Sequence, residues 1–168
     1  EGNLWVKWLR RLEVGDMPWQ AREETSKYTD LLADGRSRRF TFFMDAKSVV
    51  TNPSPQAPLK QKGRNVLSGL AWSGRGTIKR VDVTLDGGRN WQHARIDGPV
   101  LDKSLTRFYV DFDWAGQDLL IQSRAIDSTG YLQPTKEELR KVRGTNSSYH
   151  NNGIQTWHVK ATGETENV

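Results

Sequence analysis

No cysteine occurs anywhere in the 168 residues, so the chain holds no disulfide, no cysteine-type zinc site and no thiol nucleophile or thiolate metal ligand of its own. No apolar run approaches the roughly 20 residues needed to cross a bilayer, and no signal-peptide pattern opens the chain. Histidine is scarce, and His93, His150 and His158 lack the HExxH spacing or any other paired arrangement of metal ligands. Each reads as a surface or strand residue. Ser147 and Ser148 lie near His150 in a polar loop without the strand-to-helix elbow that exposes a nucleophilic serine, which argues against hydrolase chemistry. Hydrophobic content is only 35%. Seven tryptophans put much of that apolar area into a few large side chains, which points to an aromatic-anchored core.

The best-defined stretch runs from Leu70 to Ile96. Val81, Val83 and Leu85 alternate with Asp82 and Thr84, the period-two signature of a half-buried strand. Asp86-Gly87-Gly88 supplies residues that tolerate positive φ, and Trp91 opens a return strand, so a tight β-hairpin is expected. Ile78 falls on the wrong parity, which predicts a bulge or sharp twist near Lys79 and Arg80. Trp91→Ala should cost about 3 to 5 kcal/mol if the ring is buried beside the hairpin, and a change within about 0.5 kcal/mol would place it on the surface.

Further strands are expected at Val66–Trp72, Thr106–Trp114 and Leu119–Asp127, and a last one at Ile154–Lys160. In the Thr106–Trp114 strand Phe108, Val110, Phe112 and Trp114 alternate with Arg107, Asp111 and Asp113. FTFFMDAKSVVT reads as one or two short strands. Pro53, Pro55 and Pro58 then break the pattern into a connection. Thr135 and Glu138 have capping-box spacing, with a short helical turn expected to end near Gly144. The tail after Ala161 is expected to fray. Short strands joined by glycine-rich turns describe a mostly β protein built as an antiparallel sandwich.

The amino-terminal third is less regular. Leu4–Val14, LWVKWLRRLEV, does not separate strand from helix by periodicity; a buried strand or turn of strand is favoured. Lys7, Arg10 and Arg11 could gather around an anionic ligand or form a solvated basic edge. Gly15–Arg39 reads as a long excursion with a turn at Asp34-Gly35. The chain opens at Glu1 in mid-pattern, as if cut from something longer or processed. The formal charge of +5 and a pI near 9.6 suit an acidic partner surface, a phosphate-bearing ligand or nucleic acid without choosing among them. The glycines of Gly74-Arg75-Gly76 and Gly87-Gly88 do not lead into a helix, which removes the amide cradle of a phosphate loop. The aromatics of the Thr106–Trp114 strand sit on its apolar face, which argues against stacking on nucleic acid.

Read together, GLAWSGRGTIKRVDVTLDGGRNWQHARI, the Arg124-Ala125-Ile126-Asp127 run with Gly130 and Gln133-Pro134, and the Asn151–Val159 strand resemble the carboxy-terminal dimerisation domain of sulfite-oxidase-type molybdenum enzymes. The opening WVKWLRRLEV is similar to the segment that closes the molybdopterin-binding domain in that family. REETSKYTDLL, MDAKSVVTNPSP and NNGIQTW look closest to the sulfane dehydrogenase subunit of the bacterial sulfur-oxidising complex, with a sulfite dehydrogenase as the nearest competitor. The resemblance implies an immunoglobulin-like sandwich preceded by the end of an α+β molybdopterin-binding domain. It implies residues 1–39 as that domain's end plus a linker, 40–162 as the dimerisation domain and 163–168 as a tail.

The same resemblance implies a periplasmic molybdenum-molybdopterin enzyme that oxidises sulfane sulfur held on a carrier protein and passes electrons to a c-type cytochrome. It also implies a homodimer, with neither nucleic acid binding nor membrane insertion. Trp5, Val6 and Lys7 would touch the molybdopterin, Lys7 facing its phosphate. The metal's cysteine ligand would lie upstream of Glu1. No catalytic residue and no metal ligand is assigned within the chain. The competing reading is a non-enzymatic sandwich module that binds a partner through its basic and aromatic surface.

Overall fold

Alternation along residues 106–114 sets the architecture, because it gives one strand a wholly apolar side that must be covered by a second sheet. The computed structural model describes residues 5–17, 19, 22, 29–39, 43–145 and 150–168. Its strands are β1 (Thr29–Leu31), β2 (Ser37–Arg39), β3 (Lys47–Asn52), β4 (Gly63–Trp72), β5 (Ile78–Thr84), β6 (Gln92–His93), β7 (Arg95–Ile96), β8 (Thr106–Trp114), β9 (Leu119–Asp127), β10 (Thr156–Val159) and β11 (Thr165–Asn167). A single helix of regular length, α1 (Lys136–Arg143), is present among the described residues. A four-stranded sheet in the order β3-β4-β8-β7 faces a five-stranded sheet in the order β11-β10-β9-β5-β6, and β1 and β2 form a separate hairpin. All pairings within these sheets are antiparallel. This is the expected mostly β sandwich.

The core lies between the sheets. Phe108, Leu67, Ile121, Val81, Val83 and Val159 are all fully buried there. Phe108, Val110, Phe112 and Trp114 point inward and Arg107, Asp111 and Asp113 outward, as the alternation requires. Gly69 sits opposite Phe108 in the ladder, and a Cβ there would collide with the Phe108 ring and the Val49 carbonyl. A glycine is needed where the ring crosses so close to the backbone.

The hairpin differs from expectation in its turn. β5 and β6 pair Val83 with Gln92 and Asp82 with His93, so residues 84–91 form a wide loop in place of a tight primed turn. Gly87 and Gly88 have the positive φ expected of them. Asp86 organises the loop. Its Oδ1 accepts from the Thr84 hydroxyl at 2.7 Å and from the amides of Arg89 and Asn90 at 3.0 and 2.9 Å. After Ala94, whose amide donates to the Val81 carbonyl at 2.9 Å, the chain leaves the first sheet and pairs Arg95 with Tyr109 in the other. The single expected return strand is therefore two short ones that stitch the sheets together. The β5–β9 ladder slips between Ile78 and Arg80, where the parity break predicts a bulge.

Buried polar side chains cross-link the sandwich at the motifs singled out in the sequence. Gln133 Oε1 accepts from the Ser48 amide and hydroxyl, each at 2.8 Å, and from the Ala125 amide at 3.1 Å. With its one proton given to Gln133, the Ser48 hydroxyl accepts from the Ser123 hydroxyl at 2.9 Å, from one sheet to the other. Asp127 accepts from Ser73 Oγ at 2.7 Å and from the amides of Thr129 and Tyr131 at 2.9 and 3.1 Å. Asp82, expected on the solvent side, is only 1% exposed. Arg80, Arg124 and His93 cover it at 3.1, 3.1 and 2.7 Å. Arg124 also lies 4.1 Å from the centre of the Trp91 ring. That ring is half-buried beneath the guanidinium, between the buried and surface positions that the sequence left open.

Helix α1 forms as its capping box predicts. The Thr135 hydroxyl accepts from the Glu138 amide at 3.1 Å, and Glu138 accepts from the Thr135 amide at 2.8 Å. Gly144 ends it at φ 75°, and a Cβ there would meet the Leu31 carbonyl of the β1–β2 hairpin. Two expectations fail. The tail does not fray: β11 pairs with β10, and the Gly163 carbonyl accepts from the Leu59 amide at 3.0 Å, tying the tail to the proline-rich connection. Residues 5–17 form no buried strand; they are irregular and exposed, with Trp8 at 87% and Val14 at 93%. Their apolar side chains find no partner surface among the described residues, and tertiary cover is what a short strand of this kind requires. Leu4, Ser147 and Ser148, and parts of the Gly15–Arg39 and Phe40–Thr51 stretches, lie outside the described residues.

Candidate functional site

The segment just before β3, the turn after β4 and the carboxy-terminal end of α1 converge on one side chain. Asp45 is 3% exposed and accepts from two guanidinium groups and an imidazole. Arg75 Nε approaches at 2.6 Å, Arg143 Nη2 at 2.9 Å and the His150 ring Nε2 at 3.1 Å. Arg143 Nη1 continues to Asp30 Oδ2 in β1 at 3.2 Å. This network holds the β1–β2 hairpin, the helix end and the 150s loop against the sandwich. Beside it opens a pocket of about 570 Å³, lined by Arg38, Arg75, Arg143, Asp45, Tyr131 and Glu138 among others.

Local structure explains the placement. Arg143 is the last residue of α1, where a cation suits the negative end of the helix dipole. Arg75 lies in the turn held by the Gly74 amide, which donates to the Met44 carbonyl at 2.6 Å. Its guanidinium sits 5.8 Å from the centre of the Phe43 ring. Burial pushes the Asp45 carboxyl up, but the hydrogen bond and charge of Arg75, with His150 and Arg143, outweigh it and leave the group below the usual carboxylate range. Burial and the Arg143 charge push His150 down, so near neutral pH its ring is neutral and Nε2–H donates to Asp45. Burial raises the Tyr131 phenol, whose oxygen accepts from Asn152 Nδ2 at 3.1 Å.

The arrangement is a cation-lined recess with its carboxylates already paired. Arg143 spends two donors on Asp30 and Asp45, whereas the Arg75 side chain is 44% exposed and lies at the opening. It can receive an anionic group or a neighbouring surface, and it offers no nucleophile. Among the described residues no three His, Asp or Glu side chains are grouped to hold a metal. With no cysteine in the sequence there is no thiolate either, so the donor set does not fit a molybdenum ion and no chemical step runs through one here.

Trp5, Val6 and Lys7 lie in the exposed amino-terminal segment and do not line this pocket. Trp5 is 87% exposed and Val6 70%. Lys7 and Arg10 are exposed, and Arg11 pairs with Glu13. Asp45, Arg75 and Arg143 escaped sequence reasoning. A lone carboxylate inside the apolar FTFFMDAKSVV run was the available sign, since a buried charge demands a partner. His158 and Asp118 form a separate surface pair at 2.9 Å, with Glu166 at 3.3 Å.

Comparison with known proteins agrees with this geometry. Residues 38–157 match the family described as the Mo-co oxidoreductase dimerisation domain. Sulfite oxidase of Gallus gallus is 34% identical over 146 residues, covering 77% of this chain and 31% of its own length. The NADH nitrate reductase of Hordeum vulgare is 32% identical over 161 residues, covering 80% of this chain and 18% of its own. Among solved structures, the sulfane dehydrogenase SoxCD from Paracoccus pantotrophus is 64% identical with a TM-score of 0.90, covering all of this chain and 43% of that one. The chain thus spans less than half the length of each of these relatives. Sandwich topology, the Ser73–Asp127 and Gln133 cross-links and the match over residues 38–157 lead to one conclusion: the chain belongs to the Mo-co oxidoreductase dimerisation domain family.

Proposed function

We propose that this chain is the carboxy-terminal part of a molybdenum-dependent sulfane dehydrogenase, in which its sandwich pairs two copies of the enzyme. The observation that carries the reading is the 64% identity to the sulfane dehydrogenase over the whole chain, roughly double that to sulfite oxidase or nitrate reductase. Residues 1–39 would be the end of a molybdopterin-binding domain plus a linker, residues 40–162 the dimerisation domain and residues 163–168 its closing tail. The exposed apolar side chains of residues 5–17 support that division, since a surface so rich in tryptophan and leucine needs cover. Trp5, Val6 and Lys7 would then meet the pterin, with the Lys7 ammonium set against its phosphate. Molybdenum ligation would fall to residues outside this chain.

In that enzyme the substrate is sulfane sulfur carried on a partner protein, a c-type cytochrome takes the electrons, and the compartment is the periplasm. No helix among the described residues is long and apolar enough to cross a membrane. The test is to purify the full-length protein containing this chain and follow cytochrome c reduction with a sulfane-loaded carrier and with sulfite. Reduction with the loaded carrier supports the proposal. Reduction with sulfite alone supports a sulfite dehydrogenase, the reading favoured by the sulfite oxidase match. A reading frame that opens at Glu1, with no cysteine-bearing domain ahead of it, would return the chain to a non-enzymatic binding module.

A further inference from the structure

We propose that His158 is a pH-sensitive latch on the closing strand β11: as an imidazolium it bridges Asp118 and Glu166, and on losing its proton it keeps Asp118 and releases Glu166. The inference is independent of the enzyme proposed above, since it concerns side chains of this chain alone. His158 lies on β10, Asp118 in the turn between β8 and β9, and Glu166 on β11, directly opposite His158 in the ladder. Nε2 of the ring is 2.9 Å from Asp118 Oδ2, and Nδ1 is 3.3 Å from Glu166 Oε1.

A neutral imidazole carries one N–H and one lone pair, whereas an imidazolium donates from both nitrogens. A ring held between two carboxylates through both nitrogens is therefore satisfied only when charged. The Asp118 hydrogen bond, opposed by burial and helped by Glu166, pushes the His158 pKa above its ordinary value. The other charged groups at the site are Lys160, which pairs with Glu166 Oε2 at 2.9 Å, and Glu164, whose charge acts on Lys160. From β9 the ladder sets the uncharged Leu120 beside His158.

On deprotonation the remaining proton stays at Nε2, where the contact is shorter and Asp118 is fixed by the Ala161 amide at 2.8 Å. The Nδ1 lone pair then faces the Glu166 carboxylate and repels it. Glu166 turns to Lys160, and the end of β11 loosens, while the buried Thr165 and the Leu59–Gly163 hydrogen bond hold its start. Lifting residues 166–168 uncovers the edge of β10, and an uncovered edge is a template for another strand. The three side chains are 25%, 60% and 47% exposed, so solvent and salt screen the contacts and the effect stays local.

The sign follows from the raised folded pKa. The latch is closed below the unfolded histidine value of about 6.5 and is lost as pH rises through the higher folded one. At the acid end it persists until pH falls through the folded values of Asp118 and Glu166. Hydrogen bonds from His158 and Lys160, respectively, hold these below the usual carboxylate range. His150 responds in the opposite direction, losing its contribution on acidification.

Hydrogen exchange on the full-length protein, read by mass spectrometry, tests the latch. After correction for the base-catalysed rate of free amides, the peptide spanning residues 160–168 is expected to lose about two- to fivefold in protection from about pH 6 to about pH 9, the scale of exposed ion pairs. Peptides from β9 are expected to keep theirs. In His158→Gln protection of the tail is expected to sit at the alkaline level throughout. In Glu166→Gln, whose carboxamide can donate to the Nδ1 lone pair, it is expected to stay constant over the same range. Exchange of the ring C2 hydrogen reports the titration midpoint of His158, expected above about 6.5 and lower in Asp118→Asn. A midpoint at or below that value, equal protection at both ends of the range, or an alkaline loss that survives His158→Gln would overturn the latch.

Discussion

At the residue scale the most consequential side chain is Asp45, because two arginines and a histidine from separate parts of the fold share one buried carboxylate. Removing its charge deprives Arg143, itself 6% exposed, of a buried ion-pair partner. Breaking a buried pair on one side costs about 3–5 kcal/mol. Asp45→Asn is therefore expected to lower stability by about 3 kcal/mol, measured by urea unfolding. The pH dependence follows from the depressed carboxyl. Its contribution is present above the unfolded value of about 3.9 and is lost as pH falls through the lower folded value. His150 acts earlier: its folded pKa lies below the unfolded value of about 6.5, so stability declines as pH falls beneath that value toward the folded one. The unsubstituted chain should lose stability in these two stages, and Asp45→Asn should flatten the lower one. An unchanged acid limb in the variant would remove Asp45 from the centre of the network.

At the element scale two contacts carry the predictions. Gly144 closes α1 against the Leu31 carbonyl at positive φ. Gly144→Ala should therefore cost about 1–2 kcal/mol from φ alone, and more from the collision, with the β1–β2 hairpin losing protection in hydrogen exchange before the sandwich does. Uniform loss of protection would deny the hairpin its dependence on the helix end. Trp91 stacks under Arg124 and donates from Nε1 to the Gly88 carbonyl at 3.0 Å, but it is only half-buried. Trp91→Ala should cost about 2 kcal/mol from lost area and the cation–π contact, and a thermal-melting change equivalent to more than about 4 kcal/mol would place the ring in the core.

The same elements explain what the sequence could and could not disclose. Periodicity of two placed β8 and β9 to the residue, and the Thr135–Glu138 box placed α1, because local geometry alone determines those patterns. The hairpin turn was misread because Asp86, with its fan of accepted hydrogen bonds, stabilises a wide loop where two glycines suggest a tight one. Asp82 was assigned to solvent because alternation shows which side a residue faces, not what covers that side. The Asp45 network was invisible for a related reason: Asp30, Asp45, Arg75, Arg143 and His150 are brought together only by tertiary contacts, and no spacing along the chain records them.

At the scale of the whole molecule, the residues that carry the family likeness are structural pins. Ser73, Asp127, Gln133 and Asp82 fasten the two sheets and their turns. A rigid sandwich of this kind can present a fixed outer face to a second copy, while the exposed residues 5–17 present apolar surface in need of cover. The most direct test of this assignment is the mass of the full-length protein by sedimentation equilibrium at micromolar concentration. A mass equal to two copies is expected. A single-copy mass for the unsubstituted protein at every concentration would contradict it.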